Sequence, residues 1–199
     1  MVETTRRREI EDVASELFRE HGYSGTSVRD IARALDIQGA SLYAHVASKQ
    51  DVLWSIVDRT ASQFEAAADA ALASLPDADP MARLRALALA HVGVVVEDIG
   101  RASVFIHEWR SLSPDRRART LARRDAYEQR FRGVIREGVE AGTFAPIDAT
   151  VAGAYLLTAL NGLVAWYQPD GRLGRSSITD AYVELSIRAV SGAAPEEST

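Results

Sequence analysis

Apolar residues in the first sixty positions recur every three or four places, but in bursts too short for long helices and separated by two breaks that contain glycine. One run, from Thr5 to Glu20, aligns Ile10, Val13, Ala14, Leu17 and Phe18. The next, from Thr26 or Ser27 to Leu35, aligns Val28, Ile31, Ala32 and Leu35. A third, from Ala40 to Val46, has only Leu42 and Val46 as anchors. This spacing predicts three helices, each with one apolar face. His21-Gly22 and Asp36-Ile37-Gln38-Gly39 form the breaks, and a glycine just past an apolar run supplies the left-handed backbone on which helices end. Helices this short are marginal alone. The three must therefore brace one another, and the third keeps its polar side chains outside.

Ser48 opens a longer fourth helix that continues, rich in alanine, to about Leu75. Pro76-Asp77-Ala78-Asp79-Pro80 interrupts it, because proline removes a donor and clashes with the preceding turn. Beyond it the pattern predicts helices over 81–98, 102–112, 114–142, 148–167 and 177–191. No strand alternation competes, so the expected fold is all-α with about nine helices. Residues 1–50 are expected to form a three-helix head and 51–192 a body, with 193–199 as a flexible tail.

Charge narrows what the head can do. The chain carries a formal charge of -5, and residues 1–55 hold seven basic and nine acidic side chains. Any contact with a polyanion must rest on local placement: Arg6, Arg7 and Arg8 as an arm, helix N-termini, and Lys49, the only lysine. Cysteine is absent, and MVETTRRREI has no apolar segment of the secretory kind, so a cytoplasmic protein is expected. Ala149 to Pro169 is uncharged, but Asn161 and Gln168 interrupt it and no lysine flanks it. It reads as a helix packed in a body or dimer rather than a membrane span. The four histidines lack metal-ligand spacing, and no phosphate loop, nucleophile elbow or carboxylate pair is present, so neither a metal, a cofactor nor an enzymatic role is expected.

The tract TSVRDIARALDIQGASLYAHVASKQDVL has the build of a helix-turn-helix, in which one helix braces the DNA backbone and the next enters the major groove. Gly39 and Ala40 let that second helix approach closely, and Gln38 and Ser41 carry donors and acceptors suited to base edges. Together with the preceding AxELFxExGYxGTSV, the tract resembles the heads of the TetR family of transcriptional repressors. The resemblance implies a DNA-binding regulator in which Gln38, Ala40 and Ser41 face bases while Thr26, Tyr43, His45 and Lys49 hold phosphates. Ser27, Arg29 and Gly39 complete the expected DNA-binding set.

In the body, HEWRSLSPDRRAR, RRDAYEQRFRGVIREGVEAGTF and WYQPDGRLGRSSITDAY resemble TetR-type repressors of fatty-acid and steroid catabolism, which implies a small hydrophobic effector of the acyl-CoA class. Phe105, Trp109, Trp166 and Tyr167 suit an apolar cavity and equally suit a core, and Arg110 or Arg172 suits a carboxylate or phosphate at its mouth. Nine arginines fall between Arg110 and Arg136, with helical pairs expected between Asp115 and Arg119 and between Glu128 and Arg132. A homodimer is expected through helices near 149–167 and 178–190, where Ile178, Ala181, Tyr182, Leu185 and Ala189 form a stripe. Two alternatives stay open: the same fold sensing a drug-like cation through Glu97, Asp98 or Glu108, or a helical enzyme or carrier for acyl ligands.

Overall fold

Capping residues and glycines set the helix ends where the local chemistry asks for them. The computed structural model describes residues 2–192, with side chains from residue 6; the expected 193–199 tail lies outside the described residues. The helices are α1 (Val2–Gly25), α2 (Val28–Ala34), α3 (Gly39–Tyr43), α4 (Lys49–Ala73), α5 (Pro80–Glu97), α6 (Ile99–His107), α7 (Pro114–Glu140), α8 (Ala149–Asn161) and α9 (Arg175–Ser191). Single 3-10 turns cover Glu108–Ser111 and Gly162–Ala165. No strand occurs among the described residues.

Several ends depart from expectation, α6 among them, which spans Ile99–His107 rather than 102–112 and gives way to a 3-10 turn. α1 continues past Gly22 to Gly25, with a kink at Gly22 (φ 74°), where glycine alone carries no Cβ penalty. α8 stops at Asn161 and tightens into the 3-10 turn instead of running to residue 167. Arg6, Arg7 and Arg8 lie within α1, not in an arm: Arg6 pairs with Glu9 at 2.7 Å and Arg7 with Glu11 at 3.6 Å.

The described chain divides into two compact units that differ from a cut at residue 50. The first takes in the chain to Ser62 together with Asp98–Arg123, and the second takes in Gln63–Glu97 and the chain from Arg124 onward. α4 and α7 thus contribute to both. In the first unit Ile10, Ala14 and Phe18 of α1, Ile31 of α2, Leu42 of α3 and Leu53 and Ile56 of α4 are buried. α6 and the Glu108–Ser111 turn pack against α1, which is why they join this unit. Buried Glu11 ties α1 to α4, accepting from Ser55 Oγ at 2.5 Å and pairing with Arg59 at 3.2 Å.

In the second unit α5 packs on α9 and α8 through Leu84, Leu87, Val92 and Val95, all fully buried. Phe64, His91, Tyr127 and Phe131 form an aromatic cluster, with Phe64 and His91 centroids 4.8 Å apart. A Cβ on Gly138 would overlap the Phe144 ring, so glycine there allows the chain after α7 to fold back. Asp148 then caps α8, accepting from the Thr150 and Val151 amides at 2.8 and 2.9 Å.

Candidate nucleic-acid interface

Ser27 starts α2 with a reciprocal cap: its hydroxyl accepts from the Asp30 amide at 3.2 Å, and the Asp30 carboxylate accepts from the Ser27 amide at 2.9 Å. The Ser27 hydroxyl, which donates to the same carboxylate at 2.6 Å, and the Ser27 amide hold the Asp30 carboxyl below the usual carboxylate range. The turn after α2 passes through Asp36 at φ 53°, a left-handed conformation that aspartate tolerates better than most residues. Gln38 then opens α3 from extended backbone, accepting through its carbonyl from the Ser41 amide at 2.9 Å.

α3 buries Leu42 alone of its five residues, and Ala40, Ser41 and Tyr43 are exposed, as is Gln38 before it. Tyr43 is 56% exposed, more than a packing role requires. A cleft of about 420 Å³ between α2 and α3 is lined by Arg29, Arg33, Asp36, Gln38 and Gly39. Arg29 is exposed with no acid partner among the described residues, whereas Arg33 pairs with Asp30 at 3.2 Å. The cleft thus sets the Arg29 guanidinium beside the start of α3, on which Ala40, Ser41 and Tyr43 are exposed.

Two residues expected at phosphates occupy structural positions. Thr26 is buried, and its hydroxyl hydrogen is directed at the Leu17 and Gly22 carbonyls, 3.1 and 3.0 Å away. A threonine hydroxyl has only one hydrogen to donate, so this side chain braces the end of α1 and has none left for a phosphate. Lys49 donates to the Tyr23 and Thr26 carbonyls at 2.8 and 2.7 Å and lies 4.1 Å from the Tyr23 ring centroid. An ammonium carries three N–H groups, so one remains. His45 is half-buried.

The six residues expected at the effector divide between the units. In the first, Phe105 and Trp109 are each 8% exposed, and the Arg110 guanidinium lies 4.7 Å from the Trp109 ring centroid with no acid partner among the described residues. In the second, Trp166, Tyr167, Gln168 and Arg172 line a cavity of about 220 Å³. Tyr167 is buried, while Trp166 is exposed and donates from Nε1 to the Tyr182 hydroxyl at 3.1 Å.

Several of the arginines serve the fold. In the first unit Arg116 pairs with Asp51 and Arg123 with Asp58, and in the second Arg130 pairs with Asp69 at 2.7 Å. All three reach from α7 to α4 in steps of seven residues along α7. Arg132 takes the expected partner, Glu128, at 2.6 Å, but Asp115 and Arg119 form no pair. Asp98 is spent as the α6 cap and on Arg101 at 3.2 Å.

A polar group that periodicity does not single out lies in the second unit. His91 is 3% exposed, its Nδ1 is 3.0 Å from the Tyr127 hydroxyl, and burial pushes its imidazole down to about 3 against the opposing pull of Asn161. Among the described residues no group of acids and histidines is placed to hold a metal, and no helix is long and apolar enough to cross a membrane.

Known proteins share this arrangement. The family model for bacterial regulatory proteins of the tetR family matches residues 10–56, and that for the tetracyclin repressor-like C-terminal domain matches residues 77–190. The chain is 25% identical over 192 residues to the HTH-type transcriptional repressor KstR2 of Mycobacterium tuberculosis, spanning 94% of this chain and 93% of that one. The structure of that ketosteroid transcriptional regulator superposes with a TM-score of 0.87. PfmR from Thermus thermophilus is 36% identical over 91% of this chain and 97% of its own, with a TM-score of 0.79. AibR, solved in complex with isovaleryl coenzyme A and operator DNA, is 30% identical over 90% of this chain and 97% of its own, with a TM-score of 0.77. These matches retire the enzyme-or-carrier alternative. With both of its family models matched along the chain, the protein belongs to the TetR family of bacterial transcriptional repressors.

Proposed function

We propose that this repressor acts as a cytoplasmic homodimer released from its operator by an acyl-coenzyme A thioester. The observation that carries the effector class is the likeness to AibR, a protein solved with isovaleryl coenzyme A and operator DNA, at 30% identity over 90% of this chain. Residues of the second unit support it: Arg172 is exposed and pairs with no carboxylate among the described residues, which leaves it for a thioester's phosphates, and it lines one cavity with Trp166 and Tyr167, whose rings suit an acyl group.

The reading helix in this proposal is α3, with Gln38, Ala40 and Ser41 at base edges and Gly39 allowing the approach. Ser27, Arg29, Tyr43, His45 and the remaining N–H of Lys49 serve phosphates. Residues 1–50 thus bind DNA and 51–192 bind effector and partner. The dimer surface is the outer face of α8 and α9, where Val151, Tyr155 and Leu185 are 62–63% exposed. Of the stripe expected on α9, Ala181, Leu185 and Ala189 face outward, Tyr182 is half-buried and Ile178 is buried, while Val183, Ile187 and Val190, outside that stripe, fill the core. An apolar face of this extent favours burial against a second copy.

Fluorescence anisotropy on a duplex selected by the protein from a random pool tests the effector. Isovaleryl, longer fatty-acyl and steroid-derived coenzyme A esters should release the duplex and the matching free acids should not. Release by a free acid or a drug-like cation, with no thioester active, would overturn the proposal.

A further inference from the structure

The best-connected side-chain amide in the first unit belongs to a residue to which the DNA contacts assign no part. Gln50, the second residue of α4, donates from Nε2 to the Tyr23 hydroxyl at 2.8 Å and to the Ser111 carbonyl at 2.7 Å, while its Oε1 accepts from the Ser113 amide at 3.1 Å. Both amide hydrogens and one oxygen lone pair are thereby used. The pattern has a polarity: turning the amide over would set N–H against N–H and oxygen against oxygen, so only a glutamine in this orientation fits.

The junction continues on both sides. Arg116, in the first turn of α7, donates to the Gln50 carbonyl at 3.1 Å and pairs with Asp51. Lys49, the preceding residue, grips the Tyr23 and Thr26 carbonyls just ahead of the α2 cap. Gln50 therefore joins the end of α1, the start of α4 and the Ser111–Ser113 segment, and the base from which α2 and α3 project is held to that segment.

We propose that Gln50 is a positioning residue for operator recognition: it sets the orientation of the reading helix without touching DNA. The proposal rests on the dimeric-repressor reading. A dimer must present two reading helices about 34–36 Å apart, so a head that loosens on its base loses the simultaneous fit to two half-sites and keeps its fit to one.

Full-length wild type, Gln50→Met and Tyr23→Phe are titrated on a two-half-site duplex selected by the wild type and on the same duplex with one half-site scrambled. Methionine keeps the length of the side chain and removes its hydrogen bonds; phenylalanine removes one acceptor and keeps the ring beneath Lys49. Gln50→Met should weaken binding to the intact duplex by about ten-fold, within the range of measured couplings between sites, and leave binding to the scrambled duplex unchanged. Tyr23→Phe should give the same pattern with a smaller loss. Equal weakening on both duplexes, or none on either, would overturn the positioning role. A wild type with no preference for the intact duplex would instead defeat the dimeric-repressor reading beneath it.

Discussion

Both units have apolar cores, but the polar contacts that tie their distant segments differ. In the first, segments distant in sequence are tied by directed polar contacts: Gln50 to Ser111 and Ser113, Arg116 to Asp51, Lys49 to the Tyr23 and Thr26 carbonyls, Glu11 to Arg59. In the second, the long-range polar ties are exposed ion pairs such as Arg130 with Asp69 and Arg85 with Glu184, beside the apolar faces of α5, α8 and α9 and an aromatic cluster around a neutral histidine. Directed contacts fix angles, as a surface that must match a DNA groove requires, whereas apolar packing supplies stability with little directional demand. The unit that carries α3 is thus held by directed ties, and the second rests more on apolar packing.

The largest effect that would sharpen this contrast is expected in the second unit. Phe131→Ala, at a fully buried position, should cost about 3–5 kcal/mol through lost burial and a residual cavity, read as a lower denaturation midpoint. A loss near 1 kcal/mol would mean that the cluster is not the anchor of that unit.

Acidification comes next. His91 stays neutral in the folded chain to about pH 3 but takes up a proton near 6.5 once unfolded. Between those values the unfolded state binds more protons, so stability is full above about pH 6.5 and falls toward pH 3 by up to about 1.4 kcal/mol per unit from this group. His91→Phe should flatten that limb of the stability curve. An unchanged slope would show that other groups control acid unfolding.

The first unit is expected to respond in specificity and salt dependence. Gln38→Ala should cost about 1–3 kcal/mol on the selected operator but little on random duplex, and equal losses on both would remove the base-reading role. Lys49→Ala should lower binding to every duplex and shallow the salt dependence by about one unit. Because two of its N–H groups hold the end of α1, it should also lower the melting temperature. A normal salt slope with reduced stability would make Lys49 purely structural. The smallest change is Asp36→Gly, which relieves a left-handed residue and should stabilise by up to about 1 kcal/mol.

The features legible in the sequence are those written locally. Each helix lies on its expected apolar period, though α6 and α8 end five and six residues early in 3-10 turns, and the Ser27 cap and the exposed side of α3 follow from their immediate neighbours. The polar ties were not legible, because Gln50 and Ser111 lie 61 residues apart and Arg116 and Asp51 lie 65 apart, and no periodicity links them. Thr26 shows why a residue type is an incomplete guide: the same hydroxyl that suits a phosphate also suits two carbonyls at a helix end, and burial decides between them. On α9 an apolar stripe was visible, but whether it faced a core or a partner depended on how α5 and α8 lay against it.

Operator and effector must act on each other reciprocally, since an effector that weakens operator binding must itself be bound more weakly, by the same factor, when the operator is present. Calorimetric titration of the most effective acyl-coenzyme A thioester into the free protein and into the saturated operator complex measures that factor. The expected result is a lower affinity in the complex, matching the loss of operator affinity caused by the thioester. Equal affinity with and without the operator would contradict it.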